Sequence, residues 1–219
     1  MRPLSDAAAP GAVILAAGLG RRLGGRPKAA LHIGAQSLLE RLAQALREAG
    51  VAQPRVVLGP YRETLLPLAL RAGLDPLLHE RDEPSLIDSQ RLAVQAHRRL
   101  LPAQPLWLLL GDLTALGAED LQRLREAWAQ RPPGIEALVP TVAGQRGHPV
   151  LLSAAALRAV DEQPPGQGVR HWLAAHPGQV CFLEVPGPGP VQDLDTEAAL
   201  QALRRDCHPR FVGWPGGAD

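Results

Sequence analysis

Lys28 is the only lysine among the 23 Lys and Arg residues of the chain. It closes the stretch Gly18-Leu19-Gly20-Arg21-Arg22-Leu23-Gly24-Gly25-Arg26-Pro27-Lys28. An ammonium is a compact point charge on a flexible stem and a guanidinium is a planar fork, so a chain that otherwise uses arginine has a chemical reason to keep one lysine. Glycines let backbone N–H groups approach an anion closely, and the flanking cations neutralise it, which is what a triphosphate needs. A solvated basic turn is the plainer alternative. Neither G-x-G-x-x-G nor a Gly-Lys-Ser/Thr ending is present, so two common phosphate-loop patterns do not apply.

Three carboxylates complete the candidate chemistry. Asp112 follows the apolar run Leu106-Trp107-Leu108-Leu109-Leu110, with Gly111 between. A carboxylate at the end of a buried strand can hold a divalent cation among phosphates, or simply begin a turn. Asp193 and Asp195 share one face if their segment is extended, and Thr196 can cap a following helix.

These residues need a scaffold. At 219 residues, 46% hydrophobic and 21% charged, the chain can bury one sizeable core. Residues 12–17 form an apolar run ended by Gly18, which predicts a strand covered on both faces. Ser37 can cap a helix whose apolar residues Leu38, Leu39, Leu42, Ala45, Leu46 and Ala49 keep helical spacing up to Gly50. A strand at 55–58, a helix at 61–72 weakened by Pro67, a short strand at 77–79 and a helix over 85–100 follow. A strand at 106–110 and a helix over 118–130 come next, then strands at 136–142 and 150–152, a helix at 169–175, a strand at 180–185 and a last helix at 196–205. Such alternation predicts an α/β fold, a largely parallel sheet between helices, with ligands bound at the carboxyl ends of its strands. The expected organisation is a flexible start at 1–10, a single domain at 11–206 and a loosely held tail at 207–219.

The formal charge of +1 and 3% aromatic content argue against a nucleic-acid or anionic-membrane surface. Cys181 and Cys207 form no CxxC pair, and His32, His79, His97, His171, His176 and His208 show no ligand spacing. The start superficially resembles a signal peptide but is interrupted by Asp6 and Pro10, and no apolar run approaches the roughly 20 residues that span a bilayer. A cytoplasmic protein without membrane partners is expected.

Read together, the motifs resemble a family. Residues 15–28, LAAGLGRRLGGRPK, resemble the LAAGxGxR…K loop of nucleotidyltransferases of the molybdenum cofactor cytidylyl- and guanylyltransferase type. Gly111-Asp112 is similar to their metal-binding GD. Arg146-Gly147-His148-Pro149-Val150 resembles the RGHPV of the cytidylyltransferase branch, and Asp193-Leu194-Asp195-Thr196 resembles DIDT. The resemblance spans residues 11–205. It departs at Gly111-Asp112-Leu113-Thr114, where GDQP is usual, at Gln167 within a GDxGAR-like segment, and at 86–91, where only Ser89 remains of a serine-rich run with Asp88 beside it.

The resemblance implies a three-layer α/β/α Rossmann-like fold with a mostly parallel mixed sheet. It implies transfer of CMP from CTP to the phosphate of molybdopterin, with Mg²⁺ as cofactor. Lys28, Arg22 and Asp112 would be catalytic, and Leu15, Ala16, Ala17, Gly18, Leu19, Gly20, Arg22, Lys28, Ser89 and Asp112 would bind the nucleotide. Asp112 and Asp195 would hold the metal with Asp193 behind them. Arg146, Gly147, His148 and Pro149 would bind the acceptor. A molybdoenzyme or its maturation chaperone is the implied recipient. GTP with molybdopterin, an NTP with a sugar or alditol phosphate, and a carrier without catalysis are the alternatives. Lys28→Arg keeps the charge and changes only the shape. Its turnover of nucleotide is expected to fall, and parental turnover would show that charge alone suffices at this position.

Overall fold

The computed structural model describes residues 10–51 and 53–216. Of the expected flexible start only Pro10 lies within that range. The described chain enters on β1 (Gly11–Ala16), buried along its whole length as an unbroken apolar run requires. After the glycine loop come a hairpin, β2 (His32–Ile33) and β3 (Gln36–Ser37), and then α1 (Leu38–Glu48). Ser37 starts α1 because its hydroxyl oxygen accepts the Glu40 amide while the Glu40 carboxylate accepts the Ser37 amide. Two donors that the helix would leave orphaned are thereby satisfied.

β4 (Arg55–Leu58), α2 (Arg62–Arg71), β5 (Asp75–Leu78), α3 (Leu86–Leu100) and β6 (Leu106–Leu110) continue the alternation. Pro67 sits inside α2 on its exposed side, where water can take the carbonyl it frees. Then follow α4 (Ala118–Gln130), β7 (Ala137–Val142), β8 (Gln145–Arg146), β9 (Val150–Leu152), α5 (Ala154–Asp161), α6 (Val169–Ala175), β10 (Val180–Glu184), α7 (Glu197–Cys207) and β11 (Val212–Gly213).

The large sheet runs β10-β7-β9-β6-β1-β4-β5, with β8 paired to β7. β9 is antiparallel to both neighbours, and the other pairs in the row are parallel. The alternation within β1 sorts the helices into two layers. Ala12, Ile14 and Ala16 pack with Leu42 of α1, Leu65 of α2 and Leu124 of α4. Val13 and Leu15 face the other way, onto Val94 of α3, Leu157 of α5 and Trp172 of α6. The chain is therefore a three-layer α/β/α fold with a mostly parallel mixed sheet.

β1 lies between β6 and β4, so their carboxyl ends open on one edge. The Gly111 amide donates to the Leu15 carbonyl at 2.9 Å. A Cβ at Gly111 would meet that oxygen at 3.1 Å and the Ala16 Cβ at 3.0 Å, so a side chain here would push the exits of β1 and β6 apart. The helix α5 had no counterpart in the sequence reading. Its Ser153 cap, whose oxygen accepts the Ala156 amide, and its alanine-rich body are good helix formers, but only Ala156, Leu157 and Val160 mark a buried face.

The expectation of a loose tail needs correction over residues 207–216. β11 pairs antiparallel with β2, Val212 against Ile33. Leu200, Leu203, Cys207 and Val212 form a separate core with Leu23, Leu31, Ile33, Leu38 and Leu194. Trp214 packs on this cluster, and its indole N–H donates to the Pro27 carbonyl at 2.9 Å. Pro- and Gly-rich composition marked this segment as irregular, yet two large apolar side chains are enough to dock it. A chain truncated after Cys207 is expected to melt roughly 4 °C or more below the parent, from lost burial of about 1.5–3 kcal/mol for Val212 alone. An unchanged melting temperature by circular dichroism would restore the loose-tail reading.

Candidate functional site

At the carboxyl edge of β1 the chain turns through a loop that closes on itself. Gly20 has φ of +58°, a conformation that favours glycine, and a Cβ there would fall 2.0 Å from the Arg26 carbonyl oxygen. The Gly20 carbonyl accepts the amides of Leu23 at 2.8 Å and Gly25 at 3.1 Å. The Tyr61 hydroxyl, on the turn into α2, sits between the carbonyls of Leu19, at 2.8 Å, and Gly25. These bonds hold residues 17–22 as a rim of backbone around a cavity of about 570 Å³.

Lys28 stands on the wall of this cavity, and its ammonium joins the exit of β6 to the entry of α7. It donates to Asp112 Oδ2 at 2.9 Å and to Asp195 Oδ1 at 2.5 Å. Asp112 follows β6, and Asp195 precedes α7 with Thr196 as that helix's cap. Arg22 Nη1 reaches Asp195 Oδ2 at 3.2 Å. Burial works against the Lys28 charge, but Asp112 and Asp195, as charges and as hydrogen-bond acceptors, outweigh it and raise its pKa. The hydrogen bond from Lys28, with the charges of Lys28 and Arg22, holds Asp195 below its ordinary value despite some burial. Asp193 is pushed up, first by burial and then by Asp112 and Asp195, so three acids share one small region.

The pairs differ in how readily they can be broken. Arg21 and Glu83 meet at 2.7 Å across the cavity mouth with side chains 69% and 66% exposed, so their bond is worth about 1 kcal/mol or less. Lys28 and Asp112 are 19% and 16% exposed, where losing one partner strands a poorly hydrated charge. Arg21, and Arg22 with its side chain 74% exposed, can therefore turn away at little expense, while Lys28 and Asp112 stay anchored in the cavity wall.

Asp112 Oδ1 is buried and has no hydrogen-bond partner among the described residues. Among those residues no group of three or more His, Cys, Asp or Glu side chains is arranged to hold a metal ion alone. An unpartnered carboxylate oxygen beside Asp195 fits a hard divalent cation of the kind that takes one or two carboxylates and fills its remaining positions with phosphate oxygens and water.

All ten sequence-chosen nucleotide residues line the cavity: 15–20, Arg22, Lys28, Ser89 and Asp112. Ser89 is buried, its hydroxyl donating to the Ser85 carbonyl, while Asp88 serves the α3 cap with Ser85. The acceptor group 146–149 does not line the cavity. His148 lies behind it, with Nδ1 at 3.2 Å from the Leu108 carbonyl of β6. Burial lowers its pKa, with that carbonyl and the Asp112 charge pulling the other way. Arg146 does not join His148 around one anion, because its guanidinium stacks over Phe182 of β10, 4.7 Å from the ring centroid. Arg26, counted with the phosphate-loop cations by sequence, also points elsewhere, over the Trp214 ring at 5.0 Å. Glu83, Pro84 and Leu86 at the mouth were missed, since an exposed loop before a helix carries no periodicity; the Ser85-x-x-Asp88 cap was the available signal.

The model of the MobA-like NTP transferase domain matches residues 12–180. The bifunctional protein GlmU of Syntrophomonas wolfei is 26% identical over 175 residues, 78% of this chain, and the chain spans only 38% of that protein's length. Nicotine blue oxidoreductase of Paenarthrobacter nicotinovorans is 29% identical over 202 residues, 87% of this chain and 94% of that protein. The crystal structure of Rv0371c from Mycobacterium tuberculosis H37Rv superposes with a TM-score of 0.74 at 27% identity, covering 90% of this chain and 99% of that one. The same protein has been solved in complex with manganese.

The ion pairs give a pH signature. The folded pKa of Asp195 lies below its ordinary 3.8, so its stabilisation is present above pH 3.8 and is lost as pH falls through the folded value. The folded pKa of Lys28 lies above 10.5, so its share is present below pH 10.5 and is lost as pH rises through the folded value. Asp195→Asn is expected to lower stability at neutral pH by about 1 kcal/mol or less, in urea titrations, and the gap should close below pH 3.8. A gap that stays constant into strong acid would exclude this ion pair as its source.

Proposed function

Because the chain belongs to the MobA-like NTP transferase domain family, we propose that it transfers CMP from CTP to the phosphate of a molybdopterin-type acceptor and releases pyrophosphate. The observation that carries the reading is the Lys28 ammonium between Asp112 and Asp195, on the wall of a cavity rimmed by backbone of residues 17–22.

The chemistry follows from charge. An acceptor phosphate oxygen attacks the α-phosphorus in line, the bond to the bridging oxygen breaks, and pyrophosphate leaves. No covalent nucleophile on the protein is needed. The protein's work is to bring two anions together and to stabilise charge as it develops. The amides of residues 17–22 wrap the triphosphate, Arg22 and Lys28 neutralise it, and Ser89 lies on the nucleoside side of the cavity. Asp112 and Asp195 would hold a divalent cation, Mg²⁺ or Mn²⁺, and when bound it would supply Lewis-acid stabilisation of the α-phosphate and leaving group. A molybdoenzyme or its maturation chaperone is the proposed recipient of the product.

Pyrophosphate release with Mg²⁺ and molybdenum-loaded molybdopterin, compared across CTP, GTP, ATP and UTP, tests this directly. CTP-selective turnover is expected, and GTP selectivity or a requirement for a sugar phosphate would move the reading within the family. Lys28→Ala is expected to lower turnover about 10²–10³-fold, and a rate within about threefold of the parent would remove Lys28 from the mechanism. The likeness to nearly the whole of nicotine blue oxidoreductase favours one other reading, oxidation or reduction of an organic substrate. Silence with all four triphosphates, together with oxidation or reduction of nicotine blue by the protein, would transfer the conclusion to it.

A further inference from the structure

A second cavity, of about 590 Å³, opens between α2 and the C-terminal segment. One turn of chain separates it from the first, for Lys28 and Ala29 line the first cavity while Pro27 and Ala30 line the second. Its polar lining is basic: Arg26, Arg71 and His32, with the Thr64 hydroxyl and no carboxylate. Arg26 has no hydrogen-bond acceptor among the described residues and is held over the indole of Trp214, 5.0 Å from the ring centroid. Arg71 has only a long contact, 3.8 Å, with Glu40. Leu68 and the Trp214 ring, fixed by its bond to the Pro27 carbonyl, supply apolar surface.

Two guanidiniums with spare donors beside flat apolar surface match one ligand chemistry. A phosphate monoester presents three oxygens that arginine forks can take in pairs, and a planar organic group can lie against the indole and leucine. We propose that this cavity binds a small phosphate monoester with a flat apolar body, independently of the nucleotide in the first cavity. An arginine embedded in a phosphate-loop sequence but turned to the opposite side of that loop has its function here.

Phenyl phosphate is the probe, titrated calorimetrically into the full chain at neutral pH, with inorganic phosphate alongside. Phenyl phosphate is expected to bind with Kd below about 1 mM, and inorganic phosphate more weakly. Arg71→Ala, which removes a fork, and Thr64→Tyr, which fills the cavity from α2, are each expected to weaken binding about tenfold or more. Both positions are exposed, and their melting curves should match the parent. Arg22→Ala, in the first cavity, is expected to leave the affinity within about twofold. Binding that survives Arg71→Ala and Thr64→Tyr but falls with Arg22→Ala would assign the ligand to the first cavity and overturn the proposal. So would the absence of binding at about 10 mM, or inorganic phosphate binding as tightly as the ester.

Discussion

Asp112 and Asp195 can share one corner of the molecule only because a cation lies between them. Each accepts a hydrogen bond from the Lys28 ammonium, and the two belong to segments far apart in sequence. Without the ammonium the carboxylates would repel by a few kcal/mol at an effective dielectric near 20. That single contact ties the exit of β6, the entry to α7 and the turn after the glycine loop into one unit. The neighbouring sheet geometry exists to permit it: β1 lies beside β6, and Gly111 lets their ends approach without a side chain intervening. The Asp193 carboxyl beside it is pushed up first by burial and then by the charges of Asp112 and Asp195, which Lys28 only partly offsets.

Periodicity made most of the layered fold legible. β1, β4 and β6 are apolar throughout or nearly so and sit in the middle of the sheet, and α1 and α3 carry both a serine cap and a helical stripe. What escaped was short or locally ambiguous. Two-residue strands such as β2, β3 and β11 are too brief for alternation to register, and β11 pairs with a strand from the opposite end of the chain. The docked tail was unreadable for the same reason, since Val212 and Trp214 gain meaning only when Leu31, Ile33 and Pro27 are beside them.

The site divides in the same way. Residues whose roles depend on backbone position, 15–20 and Asp112, follow from where strands end, and they line the cavity. Long side chains are less predictable, because a guanidinium can reach in several directions from one Cα. Arg26 and Arg146 both settle on aromatic faces, Trp214 and Phe182, which nothing near them in sequence announces. Arg21 and Arg22 differ by one position and part company at once, one to Glu83 and the other to Asp195.

The small core under the glycine loop joins Leu23, Leu31 and Ile33 to Leu200, Leu203 and Val212. During synthesis the first group leaves the ribosome long before the second. At roughly 5–20 residues per second, the segment bearing Lys28 waits about ten to forty seconds for the residues that back it. For much of that interval the lysine has Asp112 but lacks Asp195, and the apolar underside of its loop is uncovered. The edge bearing Lys28 is thus the last part of this fold to mature, and a nascent chain that has already assembled its central strands still lacks the finished cavity wall.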